Sequence, residues 1–95
     1  MTVEIMAQAD RVIANTYKRF PMVLSNGTGC TLYDTNGRGY TDFVAGIAVC
    51  NLGHSHAKLT EALTSQAQTL WHVSNLYYTK PQVELAAWLV ANSFA

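Results

Sequence analysis

Apolar residues Ile5, Met6, Ala9, Val12, Ile13 and Tyr17 recur at steps of three and four between Thr2 and about Thr16, the spacing of one helix face. Thr2 stands where it could cap that helix. Pro21 ends any helix at Phe20, because the residue before a proline is pushed out of the α region. Three short runs of β-branched, aromatic and aliphatic residues follow, at Met22 to Ser25, Cys30 to Asp34 and Tyr40 to Val44. The segments between them, Asn26-Gly27-Thr28-Gly29 and Asn36-Gly37 followed by Gly39, read as hairpin turns, since asparagine and glycine tolerate positive φ. The pattern predicts a three-stranded antiparallel meander over about Met22 to Val44.

After the meander the pattern changes. Val44-Ala45-Gly46-Ile47-Ala48-Val49 has no polar alternation, so it reads as a run covered on both sides, with Ala45, Gly46 and Ala48 leaving room for a close approach. Tight packing and a pocket wall both fit it. Asn51 to His56 reads as a loop with Ser55 as N-cap, and Leu59, Ala62, Leu63, Gln66, Ala67 and Leu70 mark one face of a helix over roughly Ala57 to Trp71. Ser74-Asn75-Leu76-Tyr77-Tyr78 forms an aromatic, polar connector. Thr79 and Gln82 have capping-box spacing with Pro81 in the first turn, opening a last helix over roughly Pro81 to Ser93. That helix is apolar nearly all round and calls for burial on several sides.

Composition sharpens this demand. A chain of 95 residues is one domain at most and buries only roughly 60 to 65% of its unfolded surface. Yet 49% of its residues are hydrophobic and only 13% charged. Either the apolar excess meets a partner surface or the chain is cut from a larger protein. A sequence that stops at Ala95 without a glycine cap or polar tail fits the second expectation.

Six acidic and six basic residues leave no net charge, which removes the clustered cations that nucleic acid or an anionic membrane surface requires. The longest apolar run, Phe43 to Cys50, is far short of the ~20 residues that span a bilayer, and the N-terminus has no basic flank before an apolar stretch. Cys30 and Cys50 are too few for a secreted disulfide framework, so reduced thiols in the cytoplasm are expected.

The residues themselves supply no nucleophile set. Gly27-Thr28-Gly29 and Gly37-Arg38-Gly39 lack the third glycine of a dinucleotide loop and the Lys-Ser/Thr pair of a P-loop, and turn glycines account for them. His54-Ser55-His56 could present two imidazoles to one ion, with Cys50 four residues upstream, but no third and fourth ligand is evident. Hydrogen bonding of a loop at a helix start is the commoner use of such histidines. Lys18, Lys58 and Lys80 lie in polar contexts and read as solvated amines.

Tyr17-Lys18-Arg19-Phe20-Pro21, Gly27-Thr28-Gly29, Leu32-Tyr33-Asp34, Gly37 with Tyr40 and Asp42-Phe43, Ala45 to Val49, Leu52 to His56 and Ser74 to Tyr78 form an ordered series. In order and spacing it resembles the N-terminal part of class III, pyridoxal phosphate dependent aminotransferases, from about Tyr17 to Phe94. Ala57 and Thr41 depart from the family's usual proline and leucine. The resemblance implies an α+β piece of a fold-type I transferase, with residues 1–78 as the N-terminal part of the small domain and 79–95 as the first helix leading into the cofactor-binding domain. It implies a homodimer that moves the δ-amino group of N-acetylornithine to 2-oxoglutarate in arginine biosynthesis. Ornithine, succinylornithine and γ-aminobutyrate are the donors of close relatives, and an enzyme for one of these is the runner-up within the class. By the same resemblance Tyr17 and Ile47 match substrate-binding positions, and Asn75 and Tyr77 lie in a dimer-interface loop. The family's cofactor lysine and phosphate loop match no residue present, so no catalytic residue is assigned and the chain alone is expected to be inactive. A non-catalytic apolar module that binds a partner through its last helix is the alternative.

Overall fold

The computed structural model describes residues 1–94. Its elements run in the order helix α1 (Thr2–Val12), strands β1 (Leu24–Thr28), β2 (Thr31–Asp34) and β3 (Gly39–Thr41), a short turn at Ala45–Ala48, helix α2 (Ala57–Thr69), a 3-10 turn at Ser74–Leu76 and helix α3 (Lys80–Ala91). The chain divides into two compact units, Met1–Leu63 and the residues from Thr64 onward, the division falling inside α2.

The expected meander is present as an antiparallel sheet in the order β1-β2-β3. Its strands are not placed as the glycines suggested. Asn26-Gly27 lies inside β1, paired with Tyr33 and Leu32, and the reversal falls at Gly29-Cys30, where Gly29 takes φ +58°. A bulge between Leu24 and Asn26 adjusts the register, and the Ser25 hydroxyl donates to Asp34 O at 3.2 Å. β3 stops at Thr41, short of Val44: Asp42 N still donates to Cys30 O at 2.8 Å, but beyond it the chain turns away as the Asp42 side chain takes the Val44 amide.

The second reversal is built on Asp34, the only buried residue among those described. Its Oδ1 accepts from the amides of Asn36 (2.8 Å) and Arg38 (2.9 Å), and its Oδ2 accepts from the Tyr40 hydroxyl (2.9 Å). A carboxylate that accepts backbone N–H groups in a tight turn replaces the ladder bonds the turn cannot make. These bonds, the Arg38 amide first, hold the Asp34 carboxyl below the usual aspartate range and push the Tyr40 hydroxyl up.

The helices are shorter than the periodicity implied. α1 ends at Val12, and Ile13 turns to extended backbone at φ −107°, ψ 132°. Helix propensity falls across this stretch, where β-branched Val12, Ile13 and Thr16 lose side-chain freedom in a helix and Asn15 competes for backbone bonds. Met1, not Thr2, is the N-cap; Thr2 is the first helical residue, and its hydroxyl meets that of Thr35. α2 stops at Thr69 rather than Trp71. In α3 Thr79 is the N-cap and Pro81 sits in the first turn, but the capping box does not form: Thr79 makes no side-chain bond to the helix start. An exposed Lys80–Glu84 pair at 3.6 Å lies on that turn.

Neither unit has a hydrophobic core of its own. No hydrophobic residue among those described is buried, and the accessible surface is 8779 Å². Two compact bodies of these sizes would expose roughly 6400 Å². The all-round apolar α3 and the α2 face stay uncovered, including Leu63, Trp88 and Val90. Folding must offset about 1–2 kcal/mol of backbone entropy per ordered residue, chiefly by apolar burial. Residues 1–95 in isolation are therefore expected to unfold without a cooperative step and to self-associate. A sigmoidal circular-dichroism melt of a monodisperse sample would contradict this.

Candidate functional site

The run Val44 to Val49 is neither strand nor ordinary helix. Ala45, Gly46, Ile47 and Ala48 all have positive φ, between 53° and 63°, so the hydrogen-bonded turn Ala45–Ala48 is left-handed. Ala48 N donates to Val44 O at 3.0 Å and Cys50 N to Ala45 O at 2.9 Å. The left-handed region costs on the order of 1–2 kcal/mol for each residue with a Cβ, and for a β-branched residue such as Ile47 it is a true outlier. Backbone bonds return only about 1 kcal/mol each, so the turn has no local margin and persists only where its surroundings over-determine it. The expectation that this run is covered on both sides does not hold within the chain: Ile47 is 87% and Val49 80% exposed.

What holds the turn is Asp42. Its Oδ1 accepts from the amides of Val44 (2.8 Å) and Ala45 (3.0 Å), the entrance of the turn, while its Oδ2 accepts from His54 Nε2 at 2.6 Å. The Asp42 side chain is only 8% exposed. The His54 bond first, then the two amides, hold its carboxyl below the usual aspartate range. With both oxygens committed, this carboxylate is suited to positioning rather than to proton abstraction.

His54 is itself anchored by backbone. Gly29 and His54 exchange two bonds, Gly29 N to His54 O at 3.0 Å and His54 N to Gly29 O at 2.8 Å. This crossing needs glycine on both sides. A Cβ on Gly27 would lie 2.8 Å from Leu32 Cδ2 and 3.0 Å from His54 Cβ, and one on Gly53, at φ +93°, would lie 3.1 Å from Gly29 Cα. Ser55 is not the cap of α2: its hydroxyl donates to Gly27 O at 2.8 Å, and His56 Nδ1 accepts from Leu59 N at 3.3 Å instead. The two histidines thus serve a loop and a helix start. Among the described residues no group of three or more His, Cys, Asp or Glu side chains could hold a metal ion.

The positions assigned by resemblance are dispersed. Tyr17 lies in irregular chain after α1, lining an open groove of about 700 Å³ with Ile5, Ala9 and Arg19. Ile47 is not in that groove but on the left-handed turn. Asn75 and Tyr77 lie in the other unit, where with Leu76, Val83 and Val90 they line an apolar groove of about 830 Å³ beside α3. The residues that sequence reasoning missed are Asp42 and its glycine-lined setting. Their one visible signal was the small-residue run just after an aspartate.

The match to known proteins covers this architecture. The family model for class-III aminotransferases matches residues 12–95. The chain belongs to the class-III aminotransferase family. It is 57% identical over 84 residues to an acetylornithine aminotransferase of Thermosynechococcus vestitus, covering 88% of this chain and 20% of that one. To the mitochondrial acetylornithine aminotransferase of Alnus glutinosa it is 58% identical over 92 residues, covering 97% of this chain and 20% of that protein. The chain spans about a fifth of the length of these relatives. Among solved structures it superposes on the acetylornithine aminotransferase of Elizabethkingia anophelis with a TM-score of 0.91 at 30% identity, over 95% of this chain and 24% of that one. The ornithine aminotransferase of Toxoplasma gondii gives 0.84 at 27%, over 93% and 21%. In a family member the left-handed turn and its aspartate therefore belong to a segment of an aminotransferase.

Two outcomes test this site in a full-length class-III enzyme carrying the segment. Gly27→Ala should lower stability by about 1–3 kcal/mol through overpacking, read from denaturant unfolding. Asp42→Asn tests the charge. A carboxyl whose folded pKa is depressed contributes stability that is full above the unfolded value and is lost as pH falls through the folded one. The gap in melting temperature between wild type and Asp42→Asn should accordingly be widest near neutrality and close in acid.

Proposed function

We propose that this chain is the N-terminal segment of a pyridoxal phosphate dependent enzyme that transfers the δ-amino group of N-acetylornithine to 2-oxoglutarate, a step of arginine biosynthesis. The observation that carries this reading is identity of 57–58% with acetylornithine aminotransferases across nearly the whole chain. The likeness in fold to ornithine aminotransferases supports a second reading, in which ornithine is the donor. The assigned domains are residues 1–78 in the small domain and 79–95 leading into the large one. In this reading the uncovered faces of α2 and α3 meet the rest of a homodimeric enzyme, with Asn75 and Tyr77 near the subunit interface. Free Cys30 and Cys50 suit a reducing cytoplasm.

The cofactor supplies the electron sink of such a transfer. The chain's own residues do not make a site for it. A reactive amine at an aldehyde needs a lysine kept neutral by a buried setting. Lys18, Lys58 and Lys80 are all exposed, and Lys80 is paired with Glu84. What this segment contributes is shape. Ile47, a branched apolar side chain on a rigid turn, is proposed as a wall of the amino-donor pocket, with Tyr17 at the donor's polar end.

The reading is tested in the full-length enzyme by comparing kcat/KM for N-acetylornithine, ornithine and γ-aminobutyrate with 2-oxoglutarate as acceptor. N-acetylornithine should be preferred; preference for ornithine would establish the second reading. Ile47→Tyr should change the ratio between donors by about tenfold, the scale on which an apolar pocket discriminates small changes of shape. An unchanged ratio would assign Ile47 to packing alone. Residues 1–95 mixed with pyridoxal phosphate and reduced with borohydride should show no stoichiometric label on any one lysine by mass spectrometry.

A further inference from the structure

We infer that Asp42 and His54 are positioning residues for amino-donor selection, acting through the left-handed turn that carries Ile47. The inference rests on the aminotransferase reading above but adds residues that take no part in it.

Three features of the molecule lead here. Of the four successive residues at positive φ, three carry a Cβ (Ala45, Ile47 and Ala48) and are strained, Ile47 being β-branched, and such strain is retained where a fixed geometry is used. It is not held by packing within the chain, since Phe43, Ile47 and Val49 are all exposed. It is held by polar bonds at both ends. At the entrance, Asp42 Oδ1 takes the Val44 and Ala45 amides; at the exit, Cys50 N returns to Ala45 O and Gly53 N to Cys50 O. Asp42 Oδ2 then joins this unit to His54, whose backbone is paired with Gly29 at the end of the first hairpin. The turn is thereby bonded to the sheet through Asp42 and His54, and the Ile47 side chain stands exposed beside these polar bonds.

Loss of the Asp42 carboxylate should leave the turn free to relax toward ordinary right-handed or extended backbone, which would displace Ile47 by more than a bond length. A donor pocket that discriminates by shape would register that as a change in preference rather than as a uniform loss of rate.

The test uses the full-length holoenzyme and reads the ratio of kcat/KM between N-acetylornithine and ornithine, which is informative whichever donor is preferred. Asp42→Ala should move the ratio by about tenfold, mainly through the KM of the donor. Asp42→Asn, whose Oδ1 still accepts both amides and whose Nδ2 can donate to the neutral His54 ring, keeps both ends of the link and should stay within about threefold of wild type. In an Ile47→Ala background Asp42→Ala should move the ratio by less than about twofold, because the residue through which it acts is gone. Where Asp42→Ala does not fold, His54→Ala serves, since it leaves the amides on Asp42 Oδ1 and frees only the anchor; a shifted ratio supports the inference and an unshifted one overturns it. An Asp42→Ala enzyme that melts lower but keeps its donor ratio overturns the inference, as does a shift equal with and without Ile47. A wild-type enzyme that transfers no amino group to 2-oxoglutarate overturns the aminotransferase reading itself, a result distinct from an active enzyme with an unmoved ratio.

Discussion

The Asp42 carboxylate joins three regions of the N-terminal unit that have no apolar core to join them. One oxygen takes two amides of a turn whose backbone is intrinsically unfavourable, and the other takes the imidazole of a loop crossing the first hairpin. Because backbone bonds inside that turn are of the same order as its strain, the side-chain bonds decide whether it persists. The glycines around it follow from the same constraint. Gly27, Gly29 and Gly53 allow two backbones to meet at hydrogen-bonding distance, which brings His54 within reach of Asp42.

Asp34 has the corresponding role at the neighbouring hairpin. Two amides and one phenol satisfy its carboxylate, so the β2-β3 reversal and the sheet edge beside it are set by a single side chain. Both aspartates replace with directed bonds what a larger domain obtains from buried hydrocarbon. Directed bonds fix geometry well but contribute little net free energy, because the unfolded chain makes equivalent bonds to water. A segment built this way is locally well defined and globally dependent on further surface.

That dependence accounts for the uncovered helices. In α3 the apolar residues occupy every side, and in α2 the expected apolar face is intact, yet nothing in either unit buries them. The chain spans about a fifth of the length of the acetylornithine aminotransferase it matches, and its three lysines are all exposed, unlike the buried amine that aldehyde chemistry needs.

Periodicity and turn chemistry in the sequence determined the three-stranded meander, the three helices and their apolar faces, because these are set by local steric preference and by which side must leave water. The ordered motifs determined the family. The tertiary structure alone decided the helix ends, the strand role of Asn26-Gly27, the use of Ser55 and His56, and the left-handed turn at Ile47. The strand role of Gly27, the use of Ser55 and the turn at Ile47 depend on contacts between residues distant in sequence: Gly27 is a glycine because His54 approaches it, the Ser55 hydroxyl donates to Gly27 O, and Ile47 takes a disfavoured backbone because Asp42, five residues earlier, is itself held by His54. A linear pattern records what each residue prefers, and these positions are where closure of the fold overrides the preference.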